Sequence, residues 1–338
     1  MLVTDGQTGQ KARTGVFSKW RLLAAAALMV APLISSAKGW PERPVTLVVG
    51  FTPGGGADLV ARVVGSALGK ELGQSVVVEN RPGAGSSIAA GYVARSAPDG
   101  YTVLIASPSA IQVNPLLMPK LGYSPSRDLV PVTQLVESPL VIAVNPTLGV
   151  HTLKELIDLA RSKPGKLSFA SSGVGSASHL AGEEFQEVTG VKLLHVPYKG
   201  GAAATASVVS GETDISFASP PSIMGFLKSK HLMGLAVTSP DPVPTLPNLP
   251  GMKTVGLSGY KLPVWYGMFV PAGTPAAVQD KLLKAAKAAV SKPDVIEALS
   301  HEANVPVTSS SPEEFASFVR AERPFWVDLV KKANVRAE

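Results

Sequence analysis

Not one of the 338 residues is a cysteine. That excludes disulfides and a lipid anchor on an N-terminal cysteine, so stability has to come from buried apolar surface. Long hydrophobic runs are missing too. The longest, residues 22–34 (LLAAAALMVAPLI), has 13 residues, whereas a helix needs roughly 18–20 to cross a bilayer. The five histidines (His151, His179, His195, His231, His301) include no H-x-x-x-H or H-E-x-x-H spacing, so no metal centre is expected. No G-K-[ST] follows any glycine cluster, which excludes a P-loop. Dense Lys/Arg clusters with interleaved aromatics are also missing, so nothing points to nucleic acid.

What is present begins with a targeting pattern. Lys11, Arg13, Lys19 and Arg21 precede the apolar run, and Ser35-Ser36-Ala37 closes it. This is the order of a secretory signal peptide, expected over residues 1–37. Without its four basic residues and Asp5, 27 basic residues remain against 24 acidic ones, a mild excess of +3. About 300 mature residues are enough for two domains with their own cores.

The mature sequence contains one unit twice. VTLVVG (residues 45–50) runs into the glycine-rich FTPGGGAD (51–58), and LSFA (167–170) runs into SSGVGSAS (171–178). SVVVEN–RPGAG (75–85) corresponds to VKLLHV–PYKGGA (191–202), and DGYTVLIAS (99–107) to GETDISFAS (211–219). The offset is 120 at Gly50/Ala170, 117 at Gly83/Gly200 and 112 at Ser107/Ser219, shrinkages that fall in loops. Short Val/Ile-rich runs alternate with helical patterns at residues 59–72, 84–95, 153–163, 180–189 and 202–210, which predicts parallel α/β sheets covered on both faces. The proline-bearing stretch 114–147 reads as an irregular connection ending in a crossing strand, and 240–250 as a second crossing. Residues 259–271 read as a strand, and helices follow at 275–290, 293–301 and 312–334. This gives a first domain of residues 39–140 plus 245–338 and a second of 141–244.

Ligands in open α/β sheets bind beyond the carboxyl ends of the strands, where both turns lie. Gly54, Gly55 and Gly56 bare the backbone at a helix start, where free N–H groups and partial positive charge favour an anion. Gly173 and Gly175, with Ser171, Ser172, Ser176 and Ser178, repeat the arrangement. Asp58 would repel an anion, and its expected role is to cap the helix and pair with Arg62. Ser176 and His179 are three residues apart, but no G-x-S-x-G elbow or marked acidic partner supports hydrolysis. A dinucleotide fingerprint would need glycine where Leu59 stands.

FTPGGGAD, VENRPGAG, DGYTVLIAS, SSGVGSASH, VPYKGGA and WYGMFVPAGTP, in this order over residues 40–334, resemble the substrate-binding receptors of the tripartite tricarboxylate transporter family, the Bug family of extracytoplasmic solute receptors. The resemblance implies a two-domain type II periplasmic binding protein, each domain a mostly parallel sheet flanked by helices, with two crossover connections. It implies a small organic mono- or dicarboxylate held in the interdomain cleft, delivery to integral membrane transporter subunits, a periplasmic monomer, and no enzymatic activity or cofactor. Carried over residue by residue, it selects Phe51, Pro53, Gly54, Gly55, Gly56 and Asp58 on one lip and Ser171, Ser172, Gly175, Ser176 and His179 on the other. Ser107 and Ser219 at strand ends, with Tyr198 and Tyr266, are further candidates. Relatives often carry an L-x-Y-D-P-like run where this chain has LGYSPSRDLVPV (121–132). The same receptor could serve a membrane signalling partner as a sensor, and an exported dehydrogenase or hydrolase is the enzymatic alternative.

Overall fold

Valine- and isoleucine-rich segments form the strands that organise the molecule. In the computed structural model they are β1 (Val45–Val49), β2 (Val76–Asn80), β3 (Thr102–Ala106), β4 (Leu129–Glu137), β5 (Val141–Val144), β6 (Ser168–Ser171), β7 (Leu194–Pro197), β8 (Ile215–Ala218), β9 (Met233–Val237), β10 (Trp265–Pro271) and β11 (Val305–Pro306). The structure describes residues 1–3, 6, 39–118 and 120–333. The targeting segment read over 1–37 therefore falls outside the described residues except at 1–3 and 6. Everything below belongs to the unit beginning at Trp40. Among the described residues, no helix is long and apolar enough to cross a membrane.

The strands make two sheets, ordered β11-β4-β10-β3-β1-β2 and β7-β6-β8-β5-β9. In each, the strand that ends in the glycine- or serine-rich turn (β1 or β6) is flanked by two parallel neighbours: β2 and β3 in the first sheet, β7 and β8 in the second. The next strand along, β10 or β5, runs antiparallel, and β4 or β9 pairs antiparallel with it in turn. The doubled sequence unit is thus a doubled topology. The sheets are mixed rather than mostly parallel. Parallel neighbours need a crossover within their own sheet, whereas β5 and β10 each arrive from the other sheet.

The helices are α1 (Gly56–Leu72), α2 (Ser87–Ala94), α3 (Asn114–Leu117), α4 (Pro125–Asp128), α5 (Leu153–Ser162), α6 (Ala177–Thr189), α7 (Gly201–Ser210), α8 (Pro220–Lys228), α9 (Ala276–Val290), α10 (Pro293–His301) and α11 (Pro312–Lys332). On α1 the buried positions Val60, Ala61, Val64 and Leu68 recur at helical spacing and pack on Leu47 and Val49 of β1 and Leu282 of α9. Gly73, at φ 67°, ends the helix in the left-handed conformation. In the second sheet Phe169, Phe185 and Phe217 are fully buried together, each contributing about 1.5–3 kcal/mol by its removal from water.

Two expectations need correction. The stretch 114–147 is not an irregular connection: it contains β4, nine residues long. Pro131 masks it in the sequence, yet it faces Phe269 at a register shift and lies beyond the reach of β11, which pairs only with Val136 and Glu137. On such an unpaired edge a missing N–H costs no ladder bond. The C-terminal helix also does more than return to the first sheet. Phe315 joins the core cluster of Trp265 and Phe269, while Trp326 and Leu329 join that of Phe169 and Phe217. At 1.5 Å per residue, the 21 residues of α11 reach both cores.

Candidate functional site

The first turn leaves β1 at Gly50, where any side chain would strike Ser86: a Cβ would lie 1.8 Å from Ser86 Oγ. Asp58 then fixes the turn from inside. Its carboxylate accepts from the Gly54 amide (3.0 Å), Arg62 Nε (2.9 Å) and Asn80 Nδ2 (2.9 Å). Asn80 also donates to the Phe51 carbonyl at 3.0 Å, tying the turn to β2. Burial alone would raise the Asp58 carboxyl. The hydrogen bonds from Arg62, Gly54 and Asn80 outweigh it and hold the group below its usual range. Asp58 is therefore an ionised brace behind the turn.

The second turn is braced by histidines. Ser171 Oγ lies 2.6 Å from His195 Nε2 and accepts from the Gly173 amide at 3.2 Å. The Gly175 amide donates to His179 Nδ1 at 3.1 Å, and Ser176 caps α6 by accepting from the His179 amide at 3.3 Å. Ser178 Oγ accepts from the Ser172 amide at 2.8 Å. The His179 and His195 rings stack 3.7 Å apart and 6° from parallel, with Phe169 beneath His195 at 4.9 Å. Burial, together with the neighbouring His179, pushes His195 down to about 3, so it is neutral at physiological pH.

Both turns open on one cavity of about 60 Å³ between the two sheets. Phe51, Thr52, Gly55, Gly56 and Ala57 line it from one side, and Ser172, Ala177 and Ser178 from the other. Ser107 at the end of β3 and Ser219 at the end of β8 form matching walls; Tyr266, Leu140, Gly201, Thr205 and Ser222 complete the enclosure. Of the residues selected from sequence, Phe51, Gly55, Gly56, Ser107, Ser172, Ser219 and Tyr266 line it. Pro53 and Gly54 lie on the exposed crest of the first turn. Asp58, Ser171, Gly175, Ser176 and His179 stand behind the lining as braces. Tyr198 is half-buried and packs against the core cluster of Ala204, Val208 and Ile223.

Sequence reasoning named Ser178 only as a hydroxyl of the second turn and did not single out Thr52, Ala57, Gly201, Thr205 or Ser222. The matching of RPGAG with PYKGGA carried the signal for Gly201, because it marks a third glycine-led helix start. Thr205 follows Gly201 by one helical turn and nothing in its local sequence sets it apart.

The lining contains no Asp, Glu, Lys, Arg or His. Its positive potential comes from backbone: α1, α6, α7 and α8 all begin at the cavity wall. Gly55 and Gly200, at the starts of α1 and α7, give no side-chain cap, so the first N–H groups there stay open to a ligand. By contrast, α8 opens on Pro220 and Pro221, which have no N–H, and the Ser222 amide donates to the Ser219 carbonyl. Ser107 and Thr205 are 3% and 0% exposed, and neither hydroxyl has a protein partner. Tyr266 is the one titratable lining side chain. Burial pushes its phenol up to about 12, opposed in part by the nearby Ser138 hydroxyl, so it is an uncharged donor at neutral pH. The two walls meet closely. A Cβ on Gly200 would fall 2.4 Å from Thr52 Oγ1 of the other wall, and one on Gly56 3.2 Å from Ser219 Cβ across the cavity and 2.8 Å from Tyr266 Oη of its own sheet.

The family model for the tripartite tricarboxylate transporter family receptor matches residues 60–335. Protein BugT of Bordetella pertussis is 34% identical over 316 residues, covering 93% of this chain and 96% of BugT. The structure of Rpa4515 from R. palustris with adipate superposes with a TM-score of 0.83 at 34% identity, over 88% of this chain and 99% of that one. MatC (Rpa3494) from Rhodopseudomonas palustris with bound malate gives 0.79 at 30% identity, over 86% and 100%. These similarities run the length of the unit that holds the cavity, and the chain belongs to the tripartite tricarboxylate transporter receptor family.

Proposed function

We propose that this protein is a periplasmic solute receptor that holds a small organic mono- or dicarboxylate in the cavity between its sheets and delivers it to the membrane subunits of a tripartite tricarboxylate-type transporter. The observation that carries this reading is the convergence of three N–H-bearing helix N-termini, those of α1, α6 and α7, on a cavity without a charged side chain. Aligned backbone N–H groups attract a carboxylate without the desolvation cost of a buried cation. The hydroxyls of Ser107, Thr205 and Ser219 then address the rest of the ligand. No acid–base pair lines the cavity, which fits capture rather than turnover. Relatives crystallised with adipate and malate are consistent with a dicarboxylate.

In this reading residues 39–140 with 245–338 form one lobe and 141–244 the other. The two sheet-to-sheet crossings are the hinge, and the lobes close as a monomer. Export over the signal-like residues 1–37 brings the receptor to the periplasm.

Calorimetry of the purified mature chain against adipate, malate and their uncharged diamides tests it. The acids are expected to bind and the diamides not. A ligand at 100 times its Kd should raise stability by about 2.7 kcal/mol, visible as a higher melting temperature. Equal binding of acid and diamide, or binding of neither while a sugar binds, would overturn the carboxylate reading.

A further inference from the structure

A second and larger cavity, about 480 Å³, opens on the other side of β10. Adjacent residues of that strand face the two cavities: Tyr266 lines the first and Trp265 the second. Both sheet-to-sheet crossings contribute walls, through residues 137–139, 238–240 and 260–265, and α11 adds Phe318, Ala321, Glu322 and Phe325. The α11 positions share one helix face.

The chemistry of this wall is distinctive. Phe318 and Phe325 provide aromatic surface, Trp265 lies buried behind them, and two carboxylates, Glu137 and Glu322, enter the same space. Glu322 Oε2 accepts from Trp265 Nε1 at 2.7 Å and from Trp326 Nε1 at 3.5 Å, while its Oε1 accepts no hydrogen bond among the described residues. Neither carboxylate is in an ion pair there, and Lys261, exposed at the rim, lies beyond ion-pair distance of both. Ser138, 1% exposed, also lines the space, and no partner meets hydrogen-bond geometry for its hydroxyl. Aromatic faces beside unpaired carboxylates attract a cation that carries its own apolar body.

We propose that this cavity is a second ligand site, for a small organic ammonium with an apolar body, seated against Phe318, Phe325 and the Glu322 carboxylate. It does not depend on the carboxylate reading of the first cavity.

The titratable groups lining it are Glu137, Tyr260, Lys261 and Glu322. Burial pushes Glu322 up to about 7, and the charge of Glu137 adds to the rise. A primary amine stays protonated well above neutrality. Its affinity therefore rises with pH as Glu322 ionises, by up to about tenfold between pH 6 and pH 8.

The probe is 2-phenylethylamine, with 2-phenylethanol as its uncharged counterpart, titrated by calorimetry and indole fluorescence into the mature chain and the E322Q variant. The amide keeps an oxygen for the indoles, and circular dichroism checks that the fold is retained. Expected are saturable amine binding that tightens from pH 6 to pH 8, weak binding of the alcohol, and in E322Q a loss of roughly tenfold together with the pH dependence. No saturable binding of the amine, equal binding of the alcohol, or unchanged amine affinity in E322Q would each overturn the proposal.

Discussion

Gly55 and Gly56 are neighbours with opposite tolerances. A Cβ on Gly55 would meet only the Thr52 carbonyl at 3.6 Å, an ordinary contact, and its φ of −88° suits any residue. Gly55→Val should therefore fold with a nearly unchanged melting temperature while its side chain enters the cavity and abolishes carboxylate binding. Retained affinity by calorimetry would remove the first turn from the site. Thr205→Val tests a residue of the opposite kind. It keeps shape and removes a buried hydroxyl with no protein partner, so affinity should fall by about 0.5–1.5 kcal/mol without loss of stability. The glycines were legible in the sequence because their spacing bares backbone at a strand end. Thr205 was not, since the packing of α7 against β8, a tertiary fact, turns it into the cavity. Asp58 was legible in its bland role: the sequence offered Arg62 one turn away, and the structure pairs them.

At the scale of elements, the histidine stack links α6 to β7 under the second turn. His195 is depressed to about 3 in the folded protein, against about 6.5 when unfolded. Between these values the unfolded chain binds the extra proton. The stability this group contributes is thus fully present above pH 6.5 and falls as pH drops toward 3, by up to about 1.4 kcal/mol per pH unit. Thermal melts from pH 7 to pH 4 should show a shallower decline for His195→Gln than for the parent. Identical slopes would show that His195 is protonated in the folded state or exposed to solvent. No sequence pattern announced this brace. His195 faces Phe169 across the β6–β7 ladder, and α6 brings His179 over it from elsewhere in the chain. The doubled unit was legible because each copy keeps its strand, turn and helix contiguous. β5 and β10 were legible as strands but their antiparallel pairing was not, because their partners are set by connections between sheets, and β4 was hidden by Pro131 within it.

In the whole molecule the two walls nearly touch across the cavity: a Cβ on Gly200 would strike Thr52 of the other wall, and one on Gly56 would press on Ser219. If capture is closure of the two sheets on a ligand, the closest approach sets how far they can close. Gly56→Ala places a methyl against Ser219 of the opposite lobe as well as Tyr266 Oη of its own, so the lobes should stop short and leave the α7 amides out of reach of a carboxylate bound at α1. The prediction separates closure from local contact. A closed chain of this length has a radius of gyration of about 20 Å. Small-angle scattering of the parent should approach that value on adding a bound acid, while Gly56→Ala should remain larger at saturating ligand, with affinity reduced at least tenfold. Weaker binding with full compaction would mean that the methyl only crowds the ligand. Compaction and affinity both equal to the parent would mean that Tyr266 and Ser219 yield, and that the contact across the cavity does not limit closure.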